Sequence, residues 1–160
     1  FWLIIMTPKS LLRHKLAVSS LAELSSGGWQ SVIPDSEADV KKVKRIVLCS
    51  GKVYYDLLEQ VRAEKQDNTA LIRIEQLYPF PTSELTAQLT RYPKVKDIVW
   101  CQEEPKNQGA WYCTQHHLLS CVAKSQTVHY VGRPASAAPA VGSPLVHAQE
   151  QQMLVKEALN

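Results

Sequence analysis

The sequence carries no excess of charge of either sign: 18 basic side chains stand against 15 acidic ones, a formal charge of +3. That balance argues against a protein held to nucleic acid by phosphate contacts. Its basic residues are dispersed except for Lys41-Lys42-Val43-Lys44-Arg45, which precedes an apolar run and reads as a solvated linker rather than a phosphate patch. Cysteine is scarce as well. Cys49, Cys101, Cys113 and Cys121 include no Cys-x-x-Cys pair, so a disulfide framework is not expected, and a reducing, cytoplasmic setting fits. No apolar run approaches the ~20 residues that cross a bilayer, so no membrane contact is expected. The opening Phe1-Trp2-Leu3-Ile4-Ile5-Met6 is apolar but short, and it lacks the basic region and cleavage site of a signal peptide. It starts in mid-strand without an initiator Met, as expected of a piece of a longer polypeptide. Internal repeats are absent too.

What is present is ordinary globular composition, 45% hydrophobic and 21% charged, in a length that suits one domain over 1–160. Trp2 to Met6 reads as a buried strand stopped by Thr7-Pro8, with Pro8 in the first turn of a short helix. Ser19 to Leu24 is a short helical candidate, broken by Ser25-Ser26-Gly27-Gly28. Residues 25–44 read as a surface excursion holding one short strand. The regular part begins at Arg45-Ile46-Val47-Leu48-Cys49, a continuous apolar run expected of a strand covered on both faces. Ser50-Gly51 turns the chain, with Ser50 the expected N-cap of a helix carrying Val53, Leu57, Leu58 and Val61. Ala70-Leu71-Ile72-Arg73-Ile74 is the next strand, and strand, helix, strand of this length predicts parallel pairing. Pro79 and Pro81 force an extended connection, and Thr82 or Ser83 should cap the helix with Leu85 and Leu89. Asp97 to Cys101, a helix from Gln108 to Ala123, and Thr127 to Val131 complete the pattern. Residues 132–144 form a Pro- and Ala-rich strap before a terminal helix over Val146–Leu159. The class is α/β, a mostly parallel sheet of about five strands with helices on both faces.

The stretch Trp100 to Tyr112 draws attention because it follows a strand's carboxyl end, where open α/β sheets bind ligands and partners. Glu103-Glu104 are neighbouring carboxylates that strand geometry sends to opposite sides. One is expected to pair with a base and the other to face a crevice, a structural or interface role rather than proton transfer. Asn107 is the expected N-cap of the following helix. Ser50-Gly51-Lys52 resembles the end of a phosphate loop, but Ile46 stands where that loop needs Gly, so no phosphate loop is read. Cys113 and His117 lie one helical turn apart without further ligands nearby in sequence, and no metal site is read. Thr7 to Lys15 is either a solvent-facing helical turn or an anion or interface contact. Arg73 and Arg133 either pair with carboxylates such as Glu75 or Glu104, or read a phosphate.

Five blocks in order carry a family resemblance. They are Met6-Thr7-Pro8-Lys9-Ser10-Leu11-Leu12-Arg13-His14, Cys49-Ser50-Gly51-Lys52-Val53-Tyr54-Tyr55-Asp56-Leu57, Arg73-Ile74-Glu75-Gln76-Leu77-Tyr78-Pro79-Phe80-Pro81, Trp100 through Tyr112, and Tyr130 through Gly142. Together they resemble the C-terminal part of the bacterial 2-oxoglutarate dehydrogenase E1 family. The resemblance implies a three-layer transketolase C-terminal-like domain. It implies an oxidoreductase of the tricarboxylic acid cycle, a homodimer that uses thiamine diphosphate and magnesium. That enzyme decarboxylates 2-oxoglutarate and succinylates the lipoyl group of E2 dihydrolipoyl succinyltransferase.

Such enzymes hold magnesium diphosphate with a Gly-Asp-Gly element followed by Asn-Asn. Neither occurs here, so no catalytic residue and no cofactor are expected in this chain itself. Its expected partners are the remaining E1 domains, a second protomer and E2. Glu103, Glu104, Asn107, Gln108 and Trp111 are expected to form a dimer-supporting active-site mouth, with Lys9, Arg13 and His14 opposite. Some actinobacterial relatives dock acetyl-CoA on this part at an arginine-rich site. Arg133 would match one such arginine, with Arg73 and Gln126 nearby, although Pro134 stands where those relatives have a second. The alternatives are another transketolase-like enzyme or a nucleotide- or CoA-binding regulatory module.

Overall fold

A computed structural model describes residue 2 and residues 4–160. Five strands make one sheet: β1 (Val32–Ile33), β2 (Arg45–Cys49), β3 (Thr69–Ile74), β4 (Asp97–Gln102) and β5 (Thr127–Gly132). Their spatial order is β1-β3-β2-β4-β5, with β1 antiparallel to β3 and every other pair parallel. Among the described residues five α-helices accompany them: α1 (Leu21–Ser25), α2 (Val53–Glu64), α3 (Thr82–Leu89), α4 (Trp111–Cys121) and α5 (Pro144–Leu159).

Two cores follow from the period-2 alternation of side chains along each strand. Ile46, Leu48, Ile72, Ile98 and Trp100 face one side, where Leu85 and Leu89 of α3 and Leu118 and Cys121 of α4 cover them. Val47, Cys49, Leu71, Val99 and Cys101 face the other, against Leu57 and Leu58 of α2 and Leu154, Val155 and Ala158 of α5. Coverage on both faces is why the central strands read as unbroken apolar runs. The central strands keep one register: Arg45 lies beside Thr69 on β3 and beside Asp97 on β4. Arg45 also donates to the Glu157 and Ala158 carbonyls, both at 3.3 Å, which sets a cation on the C-terminal end of α5.

The expected excursion is a cap on a sheet edge. β1 pairs with the end of β3, and Asp35 beyond it accepts the Leu71 N–H at 2.7 Å. A carboxylate thus takes an amide that an edge strand would leave open. At the start of α1, the N-cap Ser20 and Glu23 form a reciprocal capping box, with bonds of 3.2 and 2.7 Å.

Some boundaries differ from expectation. Trp2 and Ile4–Met6 form no strand and stand almost fully exposed. Phe1 and Leu3 lie outside the described residues. A strand exists only where a neighbour takes its amides, and the described residues of this segment pair with neither edge strand of the sheet, β1 or β5. Lys9–Arg13 is a 3-10 turn. The side-chain caps expected from Ser50, Thr82 or Ser83, and Asn107 do not form; the capping positions are Lys52, Pro81 and Ala110. Consequently α4 begins at Trp111 rather than Gln108, while α5 begins two residues early, with Pro144 in its first turn. No helix among the described residues is long and apolar enough to cross a membrane.

Candidate functional site at the carboxyl edge of the sheet

The parallel strands deliver their carboxyl ends to one edge, and a cavity of about 700 Å³ opens there. Pro8, Leu77, Tyr78, Trp100 and Ala110 supply apolar lining; Lys52, Glu103 and Glu104 supply charge. Such an edge cleft is where ligands and partners meet α/β sheets.

Its lip is the loop after β4, and one buried amide shapes it. Gln102 Oε1 accepts from Trp100 Nε1 and from the Trp111 amide, both at 3.0 Å. Its Nε2 donates to the carbonyls of Gln108 at 2.9 Å, Glu104 at 3.2 Å and Pro105 at 3.3 Å. The side chain therefore ties strand end, loop and the first turn of α4 together. It also serves the Trp111 N–H, the first amide of α4, in place of an N-cap side chain. Gly109, at φ +64, completes the loop; a Cβ there would stand 2.9 Å from both Gln102 Nε2 and Glu104 Cβ. The sequence signal for Gln102 was a lone amide closing an apolar strand, which the Glu-Glu pair beside it overshadowed.

A second network fixes the acid side of the lip. Glu103 accepts from Lys52 Nζ at 2.6 Å and from Gln151 Nε2 at 2.8 Å. Gln151 Nε2 also donates to Asp56 at 2.7 Å, and Lys52 lies 3.3 Å from the same carboxylate. Burial opposes the charge on Lys52, but the hydrogen bond and charge of Glu103, with Asp56 added, outweigh it and raise the ammonium's pKa. Arg133 anchors this network from below. It is buried and donates to Glu150 and to Gln151 at 2.9 Å each, and to the backbone carbonyl of Glu103.

The two acids divide as expected: Glu103 pairs with Lys52, while Glu104 is exposed at the cavity wall. Asn107 and Gln108 instead clamp the strap, both donating to the Ser136 carbonyl, at 2.9 and 3.0 Å. Trp111 packs its ring 5.3 Å from that of Tyr130, centroid to centroid. Burial, with Cys101 and Glu104 adding to it and the Gln102 hydrogen bond opposing, pushes the Tyr130 phenol up to about 12. Lys9, Arg13 and His14 do not line the cavity; Pro8 does so for that segment. His14 lies against α2, 3.5 Å from Glu59 and 5.3 Å from the Tyr55 ring centroid.

The three residues expected to bind an effector do not converge. Arg73 is engaged by Glu75 at 2.9 Å and lies over the Tyr54 ring at 4.5 Å. Arg133 is consumed by the lip network. Gln126 donates to the Val95 carbonyl at the opposite, amino edge of the sheet. Cys113 and His117 both line the cavity, but the His117 ring stacks on Phe80 at 4.9 Å. Cys49 and Cys101 are buried neighbours on β2 and β4, and burial pushes the Cys49 thiol up to about 12. They are core residues, not nucleophiles.

The donor set does not suit a magnesium diphosphate group. An anion needs free donors, yet the cavity's one ammonium is already taken by Glu103 and Asp56, and Glu103 and Glu104 would repel phosphate. Among the described residues, no three His, Cys, Asp or Glu side chains gather as metal ligands.

The sequence model of the family described as 2-oxoglutarate dehydrogenase C-terminal matches residues 18–159. Among curated relatives, the 2-oxoglutarate dehydrogenase E1 component of Haemophilus influenzae is 58% identical over 99% of this chain. Those of Coxiella burnetii and Azotobacter vinelandii are 55% and 52% identical over 98% of it. The chain spans 17% of the length of each of these relatives.

Proposed function

Because this chain belongs to the 2-oxoglutarate dehydrogenase C-terminal family, we propose that it is the C-terminal part of a bacterial, cytoplasmic E1 enzyme and forms one wall of that enzyme's active-site mouth. The enzyme as a whole would decarboxylate 2-oxoglutarate on thiamine diphosphate and magnesium and pass the succinyl group to the lipoyl arm of E2. Thiamine diphosphate would supply the electron sink for decarboxylation. Its diphosphate and magnesium would be held by the rest of the polypeptide, given the acid-rich lip of this domain.

The observation that carries the reading is the exposed apolar surface at the cavity. Tyr78 and Leu77 are 89% and 40% exposed on its wall, and Ile4, Ile5 and Met6, 74% or more exposed, run directly into Pro8. Apolar surface concentrated beside a cleft marks an interface. The occupant is the remainder of E1, in the same or the second protomer. The rigid lip built on Gln102 and Arg133 would hold Glu104 at the boundary with that occupant. In the full-length enzyme, Glu104→Ala is expected to weaken dimer assembly or succinyl transfer to E2. Wild-type dimer stability together with wild-type transfer would contradict the proposal.

A further inference from the structure

The opposite edge of the sheet carries a second feature. The tripeptide Lys-Val-Lys occurs twice, as Lys42-Val43-Lys44 before β2 and as Lys94-Val95-Lys96 before β4. These strands are parallel neighbours with Arg45 beside Asp97, so the two tripeptides enter the sheet in the same register. Each valine is buried as a plug, and each lysine is exposed. With Lys41 they border an open cleft of about 670 Å³, together with Asp67, Asn68 and Asp97. Five of the chain's 18 basic side chains therefore meet at one place, which the dispersed look of the sequence concealed.

The fold does not account for the cluster. Like charges set opposite each other across strands are unfavourable. Lys42 has a partner, Asp67 at 2.7 Å, and Asp97 is taken by Arg45. Among the described residues, Lys41, Lys44, Lys94 and Lys96 have no carboxylate within ion-pair distance. The lysine stems also leave the valine plugs as the sole apolar content of the array, so solvent exclusion does not explain four unpaired ammonium groups.

We propose that this lysine edge is a docking surface for an acidic protein segment, one that presents several Asp or Glu side chains in extended backbone. Carboxylates spaced along a chain can alternate with the two lysine rows and avoid the interleaved Asp67 and Asp97. A nucleic acid would place a continuous phosphate charge against those aspartates. It would also find no exposed aromatic ring in the cleft's lining on which to stack a base. Charge complementarity of this kind sets partner choice and encounter rate more than tight affinity.

The test uses the full-length protein and a poly-L-glutamate peptide of about 20 residues, with duplex DNA of matched charge as the competing probe, titrated at low and at physiological ionic strength. The peptide is expected to bind at low salt and to weaken at least about tenfold in the Lys44→Glu/Lys96→Glu variant. It should bind unchanged to a Lys15→Glu/Lys156→Glu control, whose exposed side chains lie outside the cleft. The neutral variant Lys44→Gln/Lys96→Gln should show an intermediate loss, which guards against misfolding of the reversed one. Absence of peptide binding, equal loss in the control, or tighter binding of DNA through the same lysines would each overturn the proposal.

Discussion

The two edges of this sheet are built in opposite ways. At the carboxyl edge the charges that shape the lip are tied down: Glu103 to Lys52 and Gln151, Arg133 to Glu150, Gln151 and the Glu103 carbonyl. At the amino edge four lysines stand in solvent without an ion-pair partner among the described residues. The first arrangement gives a hydrogen-bonded lip beside exposed apolar surface; the second gives solvated charge over buried valines. A rigid, partly apolar face suits a permanent interface, whereas solvated charge suits encounters that depend on salt.

Substitutions that break the first edge should cost far more than those at the second. The largest effect is expected for Arg133→Met, which strands Glu150 and frees the Gln151 amide. A loss of about 3 kcal/mol in urea unfolding is expected, the lower end of the range for breaking a buried ion pair, because Arg133 is buried while Glu150 keeps partial solvent access. Gln102→Leu should follow at about 2–3 kcal/mol, because the Trp100 indole N–H and the Trp111 amide lose their acceptor inside the protein. A loss below about 1 kcal/mol for either would mean the lip is not set by these two side chains. Lys52→Met should act through pH. The lysine's pKa is raised from 10.5 in the folded chain, so its contribution is full below pH 10.5 and fades as pH climbs through the folded value. The variant should therefore lose stability at pH 8 yet show a shallower alkaline decline; an identical decline would remove Lys52 from the network. Smallest of all, Lys44→Ser/Lys96→Ser should change stability by less than about 0.5 kcal/mol, as for solvated surface positions. A loss of about 2 kcal/mol would show that the lysine edge is structural after all.

Much of this architecture was legible in the residues. Arg45–Cys49 was bounded correctly because burial on both faces leaves an unbroken apolar run, and the parallel pairing of β2 with β3 followed from their spacing. The short strand in the excursion and the division of labour between Glu103 and Glu104 also held. What could not be read depended on which elements become neighbours. Helix starts were missed because Lys52, Pro81 and Ala110 occupy the capping positions without side-chain bonds, and the first amide of α4, that of Trp111, is served from Gln102 nine residues earlier. The opening segment has the composition of a strand, but its described residues, Trp2 and Ile4–Met6, pair with no strand of the sheet, and composition does not say which elements become neighbours. Arg133 carried the right chemistry, a carboxylate partner, but that partner is Glu150 on a helix 17 residues away. The two Lys-Val-Lys tripeptides, 52 residues apart in sequence, become one array only through strand register.

The central claim is that the carboxyl edge is covered in the whole enzyme while the amino edge is open. Hydroxyl-radical footprinting of intact full-length E1, read by mass spectrometry alongside lysine acetylation, measures both edges in one sample. Met6 and Tyr78, 90% and 89% exposed in this domain, are expected to oxidise far more slowly than in the denatured enzyme, while Lys44 and Lys96 acetylate at close to denatured rates. Oxidation of Met6 and Tyr78 at denatured rates in the intact enzyme would contradict the account.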